Sequence, residues 1–264
     1  MSNASQFEYA SQTDIGLKRA HNEDAISIHE NLDLFILADG MGGYNAGEVA
    51  SRLCVDIIAQ HIQQKKLTPH LPRMMWQASH ATRWVSEAIV HANNEVHDLA
   101  QINPECAGMG TTVVMGLVHQ DRLVVGHVGD SRAYRLRQGQ LELITHDHSV
   151  VQAQIDAGLI SEQDARYSPI KNLITRAVGS HEDVEAEVRE YKMEVGDVYM
   201  LCSDGLTDML EPHLVHQMMV DLSDDLQECC DQLVAAANQH GGNDNISVLL
   251  MRVTQLAKRS LFGK

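Results

Sequence analysis

Basic residues are scarce in this chain: 20 Lys and Arg stand against 36 Asp and Glu, leaving a net charge of −16. A nucleic-acid backbone or an anionic bilayer attracts a basic face, so this balance argues against both as partners. Long apolar runs are missing as well. None approaches the roughly 18 residues that span a bilayer, and the amino terminus has no signal-peptide pattern, so a cytoplasmic protein is expected. The five cysteines, Cys54, Cys106, Cys202, Cys229 and Cys230, are odd in number and never spaced CxxC; they read as reduced, structural thiols. Nucleotide-binding glycine patterns are absent too. Counted from Gly40, the third glycine of a GxGxxG would fall on Asn45, and GxxxxGK[ST] occurs nowhere, which removes the dinucleotide-binding and P-loop classes. No internal repeat or low-complexity segment stands out.

What is present is a recurrent device. The apolar run Leu32 to Ala38 ends in Asp39-Gly40-Met41-Gly42-Gly43, and Val198 to Ser203 ends in Asp204-Gly205. Leu123 to Val128 ends in Gly129-Asp130, and Asp244-Asn245 opens the run Ile246 to Val253. A single Asp-Gly is ordinarily a turn. Four carboxylates, each joined to a strand with the pattern of a buried one, would repel one another in a compact fold unless cations lie between them. Oxygen-only ligands, with a backbone carbonyl beside a glycine, suit magnesium, manganese or calcium rather than zinc.

At 264 residues and 44% apolar content the chain can bury one full core, and a single domain over residues 5–256 is expected. Residues 1–4 read as a cloning remnant and 257–264 as a short basic tail. Strands are expected at Phe7–Asp14 and Ala25–His29, then the Asp39 strand. Helices follow, one carrying Val49, Leu53, Cys54, Ile57, Ile58 and Ile62 and one over Pro72–Ile102, both from helical spacing. From Thr111 the period becomes that of strands: Thr111–Val118, Leu123–Val128, Ala133–Leu136 and Leu141–Ile144, with turns too short for crossover helices. Residues 145–180, with a helix near Val150–Ala157, read as a flap-like excursion over a site edge. Strands at Val184–Tyr191 and Asp197–Ser203, helices at Pro212–Val220 and Asp225–His240, and the strand Ile246–Val253 complete the chain. The fold class is α+β: a four-layer αββα sandwich of two antiparallel sheets flanked by helix pairs.

Eight segments in order carry a resemblance. They are Asp14-x-Gly16-x-x-Arg19-x-x-Asn22-Glu23-Asp24, Asp39-Gly40-Met41-Gly42-Gly43, Gly108-Met109-Gly110-Thr111-Thr112 and Val128-Gly129-Asp130-Ser131-Arg132-Ala133-Tyr134. Asp147-His148-Ser149, Leu173-Ile174-Thr175-Arg176-Ala177-Val178-Gly179, Ser203-Asp204-Gly205-Leu206 and Asp244-Asn245-Ile246-Ser247-Val248 follow. With them the chain resembles bacterial members of the metal-dependent serine/threonine protein phosphatases, the type 2C family. The resemblance implies hydrolysis of phosphoserine and phosphothreonine in proteins by a water shared between two cations, manganese or magnesium. Asp39 would bridge the two; Asp204 and Asp244 would complete one site, and the Gly40 carbonyl and, partly through water, the Glu23-Asp24 pair the other, Asp24 being favoured as the essential member. Asp130 with Asp204 matches the place of a third, weaker metal. The catalytic set is therefore Arg19, Asp39, Asp204 and Asp244, and the metal set Asp24, Asp39, Gly40, Asp130, Asp204 and Asp244. Arg19 would grip the substrate phosphate through its bidentate fork.

The same resemblance implies phosphoprotein substrates, an opposing serine/threonine kinase and a monomer. One departure stands out: many eukaryotic relatives have a histidine where this chain has Met41, and methionine donates no proton. Either metal-bound water protonates the leaving alkoxide, or another side chain such as His21, His146 or His148 substitutes. A serine esterase built on Gly129-Asp130-Ser131 would need a late Asp-x-x-His, which is absent. A catalytically inactive relative that binds phosphoproteins is the non-enzyme alternative.

Overall fold

A computed structural model describes residues 6–42, 46–67 and 80–256. The expectations for residues 1–4 and 257–264, for Gly43, and for the first turns of the helix over Pro72–Ile102 lie outside the described residues. The strands are β1 (Phe7–Asp14), β2 (Asp24–His29), β3 (Leu34–Met41), β4 (Gly110–Thr111), β5 (Val113–His119), β6 (Arg122–Val128), β7 (Arg132–Arg137), β8 (Gln140–Leu143), β9 (Glu187–Lys192), β10 (Val198–Cys202) and β11 (Ile246–Val253). The helices are α1 (Ala46–Leu67), α2 (His80–Ile102), α3 (Val150–Asp156), α4 (Glu162–Arg166), α5 (Asp204–Thr207), α6 (Pro212–Asp221) and α7 (Leu226–Gln239).

One antiparallel sheet has the order β1-β11-β10-β7-β8; the other has β2-β3-β5-β6-β9, with β4 pairing beyond the end of β5 on β3. Alternation along β3 explains why its sequence is apolar throughout. Leu34, Ile36 and Ala38 pack with α1 and α2, whereas Phe35 and Leu37 point into the layer between the sheets; successive strand residues face opposite sides, and here both sides are covered. β11 repeats the pattern: Ile246, Val248 and Leu250 pack with α6 and α7, and Leu249, Met251 and Val253 meet the other sheet. The four layers expected from the sequence are thus present.

Three details differ from expectation. The strand expected at Thr111–Val118 breaks at Thr112, because the Thr112 amide and hydroxyl are engaged with Asp39. The buried stripe of α1 runs through Ala50, Cys54, Val55, Ile58 and Ile62, and Val49 is 39% exposed; small residues at Ala46, Gly47 and Ala50 let the helix lie close on β3. Within 145–180 a second short helix, α4, is capped by the Ser161 hydroxyl, which accepts from the Asp164 amide. All five cysteines are free and buried. Among the described residues no helix is long and apolar enough to cross a membrane.

Candidate active site

The aspartates singled out in the sequence meet at one end of the sandwich. Asp24 and Asp39 are register partners on β2 and β3; Asp130 follows β6, Asp204 opens α5 directly after β10, and Asp244 lies just before β11. β3 and β6 belong to one sheet, β10 and β11 to the other, so the site straddles both. A cleft of about 230 Å³ is lined by Arg19, Glu23, Asp39, Gly40, Asp130, Asp204 and Asp244, with Met41, Thr112, Asn172 and Ile174 on its walls.

Strong supports hold this geometry. The Asp39 amide donates to Thr112 Oγ1 at 3.0 Å, and the Asp39 carbonyl accepts from the Thr111 hydroxyl and the Thr112 amide, each at 2.8 Å. That is what the Gly108–Thr112 motif does: it straps the end of β3. Gly40 follows where nothing larger fits, since a side-chain carbon there would fall 2.1 Å from the Gly47 carbonyl oxygen. Buried Asn245 gathers the 15–23 loop, donating to the carbonyls of Ile15 and His21 at 2.9 Å and accepting from the Glu23 amide at 2.8 Å.

Electrostatically the cluster is unfavourable on its own. Burial first, then the charges of Asp24, Asp204, Asp130 and Asp244, push the Asp39 carboxyl well above the usual range. Asp204 is raised likewise by burial and then by Asp130, Asp208 and Asp244. Asp130 is pushed up to about 7 by burial and then by Asp147. Asp24 rises to about 6, again mainly by burial, with Ser247 and Ser203 pulling it back. At neutral pH these groups cannot all be charged without cations among them.

Asp24 supplies a specific test of whether cations fit. Its Oδ2 accepts from Ser247 Oγ at 2.6 Å and Ser203 Oγ at 2.9 Å, whereas its buried Oδ1 has no hydrogen-bond donor. Within the chain, the relief open to Oδ1 is a proton shared with neighbouring Asp39; a hard cation is the other. An all-oxygen donor set, mutually raised carboxyls and an unpartnered buried oxygen fit divalent cations of the manganese or magnesium kind.

Asp39, Gly40, Asp130, Asp204, Asp244 and Arg19 line the cleft together. Asp24, at 8% exposure, lies one layer behind them, and Glu23 takes the cleft wall instead. Arg19 Nη2 is 2.6 Å from Asp244 Oδ2, so the guanidinium steadies a cleft carboxylate besides facing the cleft. Of the histidines left open for Met41, none lines the cleft among the described residues. His146 pairs with Asp156 at 3.1 Å, and buried His148 accepts from the Gly129 amide.

Sequence reasoning missed two supports. Arg132 makes a forked pair with Asp147, Nε to both carboxylate oxygens at 3.0–3.1 Å and Nη2 to Oδ2 at 2.7 Å. Both residues sit in quoted motifs, so their joint presence was the available signal. Ser203 and Ser247 tie Asp24 on one sheet to the ends of β10 and β11 on the other; Ser203 was visible only as the residue before Asp204.

Sheets of this pairing, closed by such a cleft, place the chain among the metal-dependent phosphatases. The family model for protein phosphatase 2C matches residues 17–250. The serine/threonine phosphatase stp of Listeria innocua is 36% identical over 250 residues, covering 94% of this chain and 96% of that protein. The serine/threonine protein phosphatase PstP of Mycobacterium tuberculosis is 36% identical over 93% of this chain and 45% of its own length. Among solved structures, PstP/Ppp of Mycobacterium tuberculosis superposes with a TM-score of 0.84 at 33% identity, over 94% of this chain and 99% of that one. Stp1 of Staphylococcus aureus gives 0.83 at 32%, over 96% and 97%. A structure of the PstP catalytic domain, TM-score 0.82 and 33% identity over 94% and 99%, is a complex with two manganese ions. The chain belongs to the protein phosphatase 2C family.

Proposed function

We propose that this chain hydrolyses phosphoserine and phosphothreonine in proteins with two divalent cations, manganese or magnesium, held by Asp39, Asp204, Asp244, the Gly40 carbonyl and the Glu23-Asp24 pair. The carrying observation is the convergence of buried, mutually raised carboxyls around one cleft, with Asp24 Oδ1 left unpartnered. Bound there, the cations neutralise the phosphate and supply a nucleophilic water of lowered pKa, so no side-chain nucleophile is needed. Asp39 lies between the acids of the two sheets and serves both positions. Glu23 acts from the cleft wall, where burial raises its carboxyl, and Asp24 from behind through Oδ1. Asp130 with Asp204 offers a third, weaker position.

No histidine lines the cleft among the described residues, which supports metal-bound water as the proton donor to the leaving alkoxide in place of a substitute for Met41. The silent, phosphoprotein-binding alternative would be marked by a lost metal carboxylate, and the presence of Asp39, Asp204 and Asp244 on the cleft lining supports the enzyme reading. Hydrolysis of p-nitrophenyl phosphate after chelation, with and without added manganese, decides between them: manganese-dependent phosphate release is expected, and its absence would leave the binding module. An opposing serine/threonine kinase, a monomeric state and a cytoplasmic location belong to the same reading.

Arg19 keeps donors beyond the one given to Asp244, and its side chain is 49% exposed, so its fork remains open to phosphate oxygens. Arg19→Ala is expected to raise KM about tenfold, the size of one lost charge-assisted contact; steady-state kinetics with an unchanged KM would remove it from the phosphate site.

The 145–180 excursion is proposed to set substrate choice. A groove of about 740 Å³ runs from Asp130, Asn172 and Asp204 beneath it, with Leu141, Leu143, Val151, Ile155, Leu210 and Val215 among its lining residues. Lys171–Asp208 at 2.7 Å and Arg166–Glu211 at 3.0 Å pin the excursion across it. Leu143, 43% exposed, is far enough out to substitute safely. Leu143→Asp is expected to lower kcat/KM for phosphopeptides with apolar flanking residues about tenfold, the equivalent of roughly 1.4 kcal/mol of lost apolar contact. p-Nitrophenyl phosphate turnover should be unchanged, and an equal effect on both substrates, or on neither, would refute the groove.

A further inference from the structure

Beside the cleft lies a buried group the phosphatase reading does not use. His148, 7% exposed, stacks on His127 with ring centroids 4.8 Å apart and planes 18° from parallel. Its Nε2 faces Glu187 of β9 at 3.9 Å. The ligand atoms of His127, His148 and Glu187 all lie within 4.8 Å of one another, a set that would suit a zinc-type cation by type and spacing. Hydrogen-bond direction argues otherwise. His148 Nδ1 accepts from the Gly129 amide at 3.2 Å. A neutral imidazole with one nitrogen accepting carries its hydrogen on the other, so Nε2, the atom aimed at Glu187, is an N–H and offers no lone pair to a metal. Burial, reinforced by His127 and Arg176, depresses His148 to about 4, so the accepting nitrogen stays bare at neutral pH.

The same ring is one part of a three-point clamp. The His148 amide donates to the Gly129 carbonyl at 2.9 Å, and the His148 carbonyl accepts from the Thr175 amide at 2.7 Å. Gly129 is held at φ +103°, and a side-chain carbon there would lie 2.7 Å from Thr112, so the residue before Asp130 has no other way to turn. Next to it, Thr112 Oγ1 and Ser131 Oγ are 2.7 Å apart. His148 therefore links the turn that aims Asp130 to Thr175, where the 145–180 excursion returns.

We infer that His148 is a positioning residue: its bare Nδ1, with its own amide and carbonyl, fixes the Gly129-Asp130 turn against the root of the excursion and so sets the third-cation carboxylate. This rests on the reading of Asp130 as a cation ligand, but not for all of its tests. Asparagine places a carbonyl oxygen where Nδ1 sits, whereas alanine offers no acceptor. Amide hydrogen exchange of Gly129 in chelator-treated protein, followed by NMR, is expected to quicken about tenfold in His148→Ala and to stay near wild type in His148→Asn. In the loaded enzyme, half-maximal activity should need about tenfold more manganese in His148→Ala and within twofold of the wild-type concentration in His148→Asn.

Equal Gly129 exchange in wild type and His148→Ala, or His148→Asn as impaired as His148→Ala while both melt as wild type, would overturn the inference. So would saturable zinc binding by Asp39→Asn that His148→Ala abolishes, because it requires a lone pair on Nε2. A wild-type protein without manganese-dependent hydrolysis would defeat the functional reading instead, and Gly129 exchange would still decide the clamp.

Discussion

Asp39→Asn is expected to lower turnover by about a thousandfold or more, while the chelator-treated variant melts at a higher temperature than chelator-treated wild type. The loss follows from position: burial first, and then Asp24, Asp204, Asp130 and Asp244 together, raise the Asp39 carboxyl, so it lies where charge from both sheets must be neutralised. Removing it costs several kcal/mol of transition-state charge stabilisation, and each ~1.36 kcal/mol is a factor of ten in rate. The gain in metal-free stability has the same origin, since an amide of the same shape relieves repulsion that no cation is present to offset. For a chain of this size each kcal/mol moves the midpoint by about 2–4 °C. Calorimetry in chelator and manganese-supplemented kinetics check both halves. A variant that retains near wild-type turnover would show the metal assignment to be wrong.

Metal removal should also expose an unusual pH dependence. Asp24 and Asp130, with folded values of about 6 and about 7, lie above the ordinary carboxylate value of 3.8. A folded state that holds its protons more tightly than the unfolded chain is favoured at low pH and loses that advantage as pH rises through the folded value. Chelator-treated protein should therefore lose stability as pH rises from about 4 through about 7, and the part above pH 6.5, which Asp130 carries, levels off towards pH 8. Below that window buried His148, depressed to about 4, acts in the opposite sense, so the range above 6.5 is the diagnostic one. Manganese should abolish the decline and raise the midpoint. A ligand that binds only the folded state adds about 2.7 kcal/mol at one hundred times its dissociation constant. Flat melting temperatures from pH 6.5 to 8 in chelator, or no response to manganese, would contradict the cluster as described.

Much of this was legible in the residues because strand periodicity and glycine placement are local. The apolar run ending at Asp39 becomes β3, and its continuous burial is readable once both faces are known to be covered. The carboxylates of Asp130, Asp204 and Asp244 could be anticipated as neighbours since each stands at the end of such a run. What could not be read was depth. Asp24 and Glu23 are adjacent in the chain, yet one lies behind the cleft and the other on its wall, a choice made by two serines more than 170 positions away. The Arg132–Asp147 fork and the His148 ring depend in the same way on which loops return to the end of β6. Of the stripe expected on α1, Cys54, Ile58 and Ile62 are buried and Leu53 and Ile57 pack against the same cluster, whereas Val49 is exposed because the small residues Ala46, Gly47 and Ala50 take the first turns against β3.

Asp24 grips Ser203 and Ser247 across the gap between the sheets, and the acids of the cleft are shared between those same sheets. Reactivity is thereby made hostage to shear. Repacking of the inter-sheet layer far from the cleft, around Phe35, Tyr199 or Met251, would misalign the two halves of the cradle first. Such variants should reveal themselves as enzymes hungry for manganese well before they reveal themselves as poorly folded ones.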